Sequence, residues 1–250
     1  MHGFAFRLKS CQIRAVHDSW ERALRRFDIL RTSFHFAPMS GRWAQVIHTD
    51  ADLKWSIKHY SGSPNLAEDL VQSLSLREAA DFSRSPLYLR HAVLNGEDHI
   101  VVALHHALYD GISLPKLFSF VGRDLMGEVP SAHPVQLQDV IDGVLLQERN
   151  GVEYWTQCLK GFSPSHFSRD QSVSAKAWRS SLPLDLNRAI IDRTCRRYHV
   201  SSQSIVQLAW AKVLANSYQR ADVVFGQVLS GRALPGAADI VAPLFVSVES

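Results

Sequence analysis

Residues 100–111 read IVVALHHALYDG, and they carry the strongest indication of the fold in this sequence. Its first five residues are apolar without alternation, which is typical of a central strand buried on both faces. Two histidines follow, and a helical pattern then begins with Ser113 as the predicted N-cap and Pro115 in the first turn. A strand, a loop and a helix in this order bring loop side chains to the end of a sheet, where clefts form.

The rest of the chain mixes strand and helix patterns without strict alternation, which favours an α/β or α+β class with a mixed sheet. Asn95-Gly96 stands between two apolar runs and predicts a hairpin turn. A serine-rich stretch at residues 161–175 is interpreted as a linker between lobes. Strands are predicted at residues 4–8, 30–36, 43–48, 53–57, 87–94, 99–104, 178–182 and 223–229. Helices are predicted at residues 13–27, 66–76, 140–145 and 154–159. Two more helices are predicted to begin after caps, one at Asp185 and one at Ser201 or Ser202.

Composition excludes several classes of protein. The chain is 46% hydrophobic and 20% charged with a formal charge of +3, so charge gives no argument for nucleic acid. No stretch approaches the roughly 20 apolar residues that cross a bilayer. Cys11, Cys158 and Cys195 are odd in number and far apart, which disfavours a disulfide framework or a Cys-x-x-Cys metal site. We expect a soluble protein in the cytoplasm, without nucleic-acid or membrane partners.

His105 and His106 are the first candidates for chemistry. A histidine at a strand end can act as a base near neutral pH. Neighbouring strand residues point to opposite faces, so one of the two faces a given cleft. A zinc site is an alternative, although no third ligand stands at a ligand spacing nearby. Two satisfied core histidines are another alternative. Gly111 is expected to adopt the unusual backbone angles that turn the loop back.

The pattern His105-His106-x-x-x-Asp110-Gly111 resembles the signature of condensation domains of nonribosomal peptide synthetases, within the chloramphenicol acetyltransferase-like superfamily. Two more segments agree in order: residues 29–34, ILRTSF, are similar to the family's early Leu-Arg-Thr-x-Phe, and residues 223–232, VVFGQVLSGR, are similar to its later strand. Residues 108–115 most resemble fungal synthetases, including those that build hydroxamate siderophores.

The resemblance implies a two-lobe fold with a tunnel where the lobes meet. Residues 1–165 would form the N-terminal lobe, and residues 166–250 would begin a C-terminal lobe that is truncated. The partners would be carrier domains and the adenylation domain of the same synthetase. Carrier domains would present substrates on phosphopantetheine arms, with no cofactor or metal bound directly.

The resemblance also assigns roles to residues. His106 would be the catalytic residue, and His105 and Gly111 would shape the loop. Asp110 would be structural and would pair with Arg31. The reaction would join a carrier-bound donor acyl thioester to an acceptor amine. Residues 241–247, VAPLFVS, depart from the family's usual Gly-Pro-x-x-Asn-Thr.

Three alternatives stay open at this point. The chain could be a truncated, non-catalytic remnant that binds a carrier. It could be a free-standing acyltransferase that uses acyl-CoA. It could also be an epimerisation domain, because those domains carry a similar histidine motif.

Overall fold

The computed structural model describes residues 1–9, 13–50, 52–74, 82–128, 132–163, 181–183 and 186–249. The chain divides into two compact units. One comprises residues 1–150 and 229–246, and the other comprises residues 151–228 and 247–250. The predicted lobe boundary after residue 165 falls outside the described residues, as do most of the predicted linker and strand and the cap at Asp185.

Helices and strands alternate irregularly along the chain, as the sequence predicts. The strands are β1 (His2–Arg7), β2 (Thr32–Ala37), β3 (Arg42–Ile47), β4 (Lys54–Tyr60), β5 (Leu87–Leu94), β6 (Glu97–Leu104), β7 (Gly226–Ser230) and β8 (Phe245–Glu249). The helices are α1 (Ile13–Arg26), α2 (Leu66–Ser73), α3 (Ser113–Leu125), α4 (Ile141–Cys158), α5 (Arg188–Tyr198) and α6 (Ser202–Tyr218).

A four-stranded sheet forms the centre of the first unit, in the order β1-β6-β5-β4. Strands β4 and β5 are parallel and the other neighbours are antiparallel, so the sheet is mixed. Asn95 and Gly96 connect β5 to β6 with φ angles of 51° and 83°. Two positive φ angles in a two-residue loop are the requirement of a type I′ turn, so the hairpin prediction is confirmed.

Strand β6 is buried on both of its faces, as its apolar run predicts. Val102 and Leu104 join the cluster that contains Trp20 of α1, whereas Val101 and Ala103 join the cluster beneath α2. All four of these β6 residues have no measurable exposure. Helices therefore cover both faces of the sheet, and the end of β6 is held rigidly where the histidines begin.

Two helix or strand starts depart from the sequence predictions, and a third agrees with its prediction. A short 3-10 helix, Asp28–Arg31, precedes β2, so the strand predicted from residue 30 begins later. In the second unit Asn187 caps α5, and its side chain accepts from the Ala189 N–H. The Ser201 cap of α6 is confirmed, because its Oγ accepts from the Ser204 N–H at 3.0 Å.

None of the helices in the described ranges combines the length and the apolar character needed to span a bilayer.

Candidate active site

The loop after β6 is short and is shaped by its own side chains. His105 follows the strand, residues His106–Leu108 make one 3-10 turn, and Asp110 then leads into α3. The Asp110 carboxylate Oδ1 accepts from the backbone N–H groups of Ile112 at 3.0 Å and Ser113 at 2.7 Å. These are orphan donors at the helix start, so Asp110 fulfils the capping role predicted for Ser113.

The Ser113 side chain points back to the loop instead. Its Oγ accepts from the Asp110 N–H at 2.8 Å. Asp110 and Ser113 thus bond each other reciprocally, and the prediction of Ser113 as the cap is wrong because Ser113 already lies within the helix and its own N–H bonds the Asp110 carboxylate.

The imidazole of His106 is exposed at the end of the sheet. It stacks on Tyr109, with ring centroids 4.7 Å apart and an interplanar angle of 10°. The rings of His2 and Phe245 lie edge-on to it, with ring centroids 5.5 Å and 6.5 Å from the His106 centroid. An exposed ring with aromatic neighbours is not a packed core histidine, so that alternative is excluded for His106.

The imidazole of His105 turns inward and supports the loop. Its Nδ1 accepts from the Ala107 N–H at 3.1 Å, and its ring lies edge-on to Phe82 at 4.9 Å. Burial lowers the pKa of His105, and Coulombic interactions with the N-terminal amino group, His106 and His2 lower it further. His105 is therefore neutral at pH 7, as an acceptor from a backbone N–H must be.

The predicted pair between Arg31 and Asp110 is wrong. Arg31 donates from Nη2 to Asp28, three residues earlier in the same 3-10 helix, and from Nη1 to the His48 carbonyl at 2.7 Å. Asp110 is instead bound by Arg232, whose Nη2 lies 3.0 Å from Oδ1 and 2.9 Å from Oδ2. The aspartate does have an arginine partner, but it comes from a distant segment.

Arg31 belongs to a different part of the surface. It lines a cavity of about 400 Å³ together with His48, Arg84 and other residues, and His106 is not among the residues that line it. Among the residues that the structure describes, the hydrogen bonds of Arg31 go to Asp28 and His48, and none joins it to the histidine loop (residues 105–111).

Arg232 fastens its own segment as well as Asp110. Its guanidinium donates to the carbonyl oxygens of Ala237 at 3.0 Å, Ile240 at 2.8 Å and Ala242 at 2.9 Å. Its Nε is buried without a hydrogen-bond partner among the residues that the structure describes. The guanidinium thus organises residues 232–242 into a compact turn beside the histidine loop.

Leu244 completes the set of donors around Asp110. Its backbone N–H bonds Oδ2 at 2.9 Å. Burial by itself would raise the pKa of Asp110, but the N–H groups of Leu244 and Ser113 and the guanidinium of Arg232 outweigh burial and hold the pKa below its usual value. The carboxylate is charged and fully occupied as an acceptor, so its geometry suits a structural role.

Gly111 does not adopt the backbone conformation that the sequence predicts. Its φ lies outside the left-handed region, and a Cβ at this position would meet nothing within 4 Å. The loop is turned by the 3-10 helix and the Asp110 cap, so the expectation of unusual angles at Gly111 is wrong.

Within the described part of the chain, no three His, Cys, Asp or Glu side chains are grouped so that they could hold a metal ion.

Sequence reasoning missed three residues that shape this site: Arg232, Tyr109 and His2. Arg232 ends the segment VVFGQVLSGR that the sequence analysis had already singled out, so its position was a usable signal. Nothing local pairs Tyr109 with His2, because the Tyr109 hydroxyl meets His2 Nδ1 across 107 residues of chain.

The sequence model of the condensation domain family matches residues 3–248. The chain belongs to the condensation domain family. The family predicted from the three ordered motifs is thereby confirmed. The nonribosomal peptide synthetase NPS2 of Ceriporiopsis subvermispora is 33% identical over 258 residues, which cover 99% of this chain and 10% of that protein. The coprinoferrin synthetase of Coprinopsis cinerea is 35% identical, with coverage of 99% and 10%.

This condensation domain spans only a small part of the length of the curated relatives it matches. In the nonribosomal peptide synthetase sidC of Aspergillus fumigatus, the match is 34% identical and covers 88% of this chain and 5% of that protein. The relatives are thus synthetases many times longer than the segment they share with this chain.

Solved condensation domains share the fold. The condensation domain of the Monacolin K polyketide synthase MokA superposes with a TM-score of 0.68 at 17% identity, covering 99% of this chain and 60% of that one. A structure describing condensation domain-mediated chain release from the enacyloxin polyketide synthase gives a TM-score of 0.65 at 17% identity, with coverage of 99% and 52%. The predicted fold class is confirmed by these likenesses and by the mixed sheet.

Proposed function

We propose that this condensation domain takes part in amide bond formation, with His106 acting on the attacking amine. The observation that carries the proposal is the exposed imidazole of His106 at the end of a buried strand, on a loop that Asp110 and Arg232 hold in place. A reactive side chain on a loop that a rigid sheet positions is the usual arrangement of an enzyme site.

The proposed reaction is an acyl transfer between two carrier-bound substrates. The acceptor's amine nitrogen attacks the carbonyl carbon of the donor thioester, and a C–N bond forms. The C–S bond then breaks, and the thiolate of the donor carrier leaves with the electron pair. His106 accepts the proton that the amine loses and returns it to the departing sulfur, so charge and atoms balance without a metal or a redox cofactor.

Typical rate factors indicate that the positioning of the two substrates contributes more to the rate than proton transfer by His106. A placed general base typically contributes about 10²–10⁴-fold in rate. Holding two tethered reactants together corresponds to effective molarities that reach about 10⁵–10⁸ M in favourable cases. We therefore expect a His106 variant to retain some turnover above the uncatalysed reaction.

The neighbours of His106 would act through the loop. In this proposal His105 holds the first turn through the Ala107 N–H, and Asp110 joins the loop to α3 and Leu244. Gly111 would leave room beside the loop, because a side chain there would project into open space. Arg31 has no part in this arrangement.

The proposal is tested by replacing the imidazole. His106→Ala and His106→Gln are compared with the parent in the natural full-length polypeptide, with donor and acceptor carriers loaded, and the joined product is followed on its carrier by intact mass. We expect both variants to lose about 10²–10⁴-fold in rate. His59→Ala is the matched control, because His59 is also exposed but lies on β4. Unchanged turnover in the His106 variants would defeat the assignment.

We further propose the setting in which the domain works. Carrier domains would deliver substrates on phosphopantetheine arms, and an adenylation domain of the same synthetase would supply the aminoacyl group. This setting is supported by the relatives, which are named synthetases and match most of this chain. Cys158 and Cys195 are free thiols, which agrees with a cytoplasmic location.

The names of two relatives support a product class. The ferrichrome siderophore peptide synthetase and the siderophore peptide synthetase fer3, both of Mycosarcoma maydis, are each 29% identical to this chain, over 250 and 265 residues. We propose a siderophore as the product to which this domain contributes. Disruption of the gene should abolish a secreted iron chelator under iron limitation, and unchanged chelator secretion would contradict the proposal.

A further inference from the structure

Tyr109 lies directly beneath the proposed catalytic histidine. Its phenol ring and the His106 imidazole are nearly parallel, at 10° and 4.7 Å between centroids. The two residues belong to one short segment, but their side chains meet because the 3-10 turn His106–Leu108 brings them over each other. The contact gives the exposed imidazole one fixed surface to lie on.

The Tyr109 ring is itself held from several sides. It is only 4% exposed, and the edge of Phe4 on β1 lies 6.4 Å from it. Its hydroxyl bonds His2 Nδ1, also on β1. Burial raises the pKa of Tyr109, so the phenol keeps its proton at neutral pH. The next residue, Asp110, is fixed by Arg232 and Leu244.

An exposed histidine would ordinarily sample several side-chain rotamers. Parallel, offset ring pairs are favoured over separated rings, so a rigid aromatic partner selects one rotamer and one ring plane. The rate of an acyl transfer depends strongly on how the reacting groups are oriented, and a displacement of about 1 Å can cost about 10²-fold. The stack thus links the packing of β1 to the orientation of the imidazole.

We propose that Tyr109 is a positioning residue that fixes the plane of the His106 imidazole against the reacting amine. The inference rests on the proposed function of His106. A purely structural tyrosine would fill the core between β1 and the loop and would leave the orientation of His106 independent of its ring. The two readings differ in what happens to His106 when the ring, or only its hydroxyl, is removed.

The stack itself is tested by NMR of the 250-residue chain with labelled histidine. The Hε1 and Hδ2 protons of His106 should show upfield ring-current shifts, assigned by their loss in His106→Gln. Tyr109→Leu should abolish the shifts, whereas Tyr109→Phe should preserve them because the ring remains. Shifts that are the same in Tyr109→Leu and in the parent would overturn the inference.

The effect on rate is tested in the natural full-length polypeptide by formation of the carrier-bound amide. We expect Tyr109→Leu to lower kcat about 10- to 100-fold with little change in KM. Tyr109→Phe and His2→Ala both remove the hydrogen bond between the Tyr109 hydroxyl and the His2 imidazole, but both keep the aromatic ring at residue 109. Each should therefore lower kcat only about two- to tenfold. Their double variant should cost no more than either alone.

Further variants separate the outcomes. Tyr198→Leu is the matched control, because Tyr198 is 62% exposed on α5 in the second unit, and its turnover should equal the parent's. Because Tyr109→Leu could unfold the loop, His2→Ala serves as a second variant. His2 is exposed, so its replacement leaves the core filled. Normal kcat in Tyr109→Leu, with His106→Ala slowed as expected, would overturn this inference and leave the proposed function standing. Full activity of His106→Ala would overturn both.

Discussion

Arg232 donates from Nη2 to both carboxylate oxygens of Asp110, at 3.0 Å and 2.9 Å, across 122 residues of chain. The two side chains are nearly buried, with exposed fractions of 7% and 11%. Through the Leu244 N–H the same carboxylate also reaches the strand that begins at Phe245. One ion pair therefore joins the histidine loop, α3 and the segment that follows β7.

Removal of either partner of this pair should destabilise the chain strongly. Asp110→Ala leaves a buried guanidinium without its carboxylate, and Arg232→Ala leaves a buried carboxylate without its cation. We expect each to lower the free energy of unfolding by about 3–5 kcal/mol, measured by urea denaturation. Arg7→Ala is the control, since Arg7 and Glu97 form a pair that is 50% and 57% exposed and should contribute at most about 1 kcal/mol.

Double-variant cycles distinguish the observed partner from the predicted one. The changes Asp110→Ala and Arg232→Ala should be strongly non-additive, because the second change removes a group that the first has already left unpaired. The changes Asp110→Ala and Arg31→Ala should add to within about 0.5 kcal/mol. Coupling in the Arg31 cycle, or additivity in the Arg232 cycle, would contradict the structure.

Acid should weaken the fold through Asp110. Because the pKa of Asp110 is lower in the folded state, its contribution to stability is present above the unfolded pKa and is lost as pH falls through the folded pKa. The stability difference between the parent and Asp110→Asn should be constant above about pH 5 and should shrink below about pH 4. The pKa values of Asp69 and Asp124 are also lowered, but both proteins retain these groups, so their effects cancel.

A difference between the parent and Asp110→Asn that stays unchanged down to the lowest pH at which both fold would contradict this origin of acid sensitivity. Urea denaturation at a series of pH values provides the measurement.

Two glycine-to-alanine changes should have opposite results. At Gly3 a Cβ would lie 2.5 Å from the Ala67 carbonyl oxygen of α2, so Gly3→Ala pushes the helix off β1. We expect a loss of about 1–3 kcal/mol in the free energy of unfolding. At Gly111 the space is open and φ is not positive, so Gly111→Ala should be neutral or stabilising by about 0.4–1 kcal/mol. Thermal melts of both variants test the pair, and a destabilising Gly111→Ala would refute the description of this loop.

Sequence reasoning succeeded where the signal was local. The apolar run before His105 predicted a strand buried on both faces, and Asn95-Gly96 predicted its hairpin, because burial on both faces and positive φ leave direct marks on residue choice. The ordered motifs predicted the family, which the match over residues 3–248 confirms. The role of His106 stays a prediction.

The failures concern contacts between distant segments and competition between nearby hydrogen-bond acceptors. Arg31 and Arg232 both stand in segments that resemble family motifs, and no local pattern decides which of them meets Asp110. Arg31 bonds Asp28 and not Asp110, because the Asp28 carboxylate lies three residues earlier in the same turn and is the nearer partner. Asp110 and Ser113 are both good caps, and which one bonds the helix depends on side-chain geometry that the sequence leaves open.

The bond between Asp110 and Leu244 spans 134 residues, which has a consequence for biosynthesis. A ribosome releases the histidine loop long before it releases Arg232 and Leu244. During that interval the carboxylate has neither its guanidinium nor its distant amide donor, and burying it alone is unfavourable. The loop therefore reaches its native shape only after Leu244 has left the ribosome, and a nascent polypeptide that has not yet reached Arg232 carries the His106 imidazole on a loop whose carboxylate lacks its distant partners.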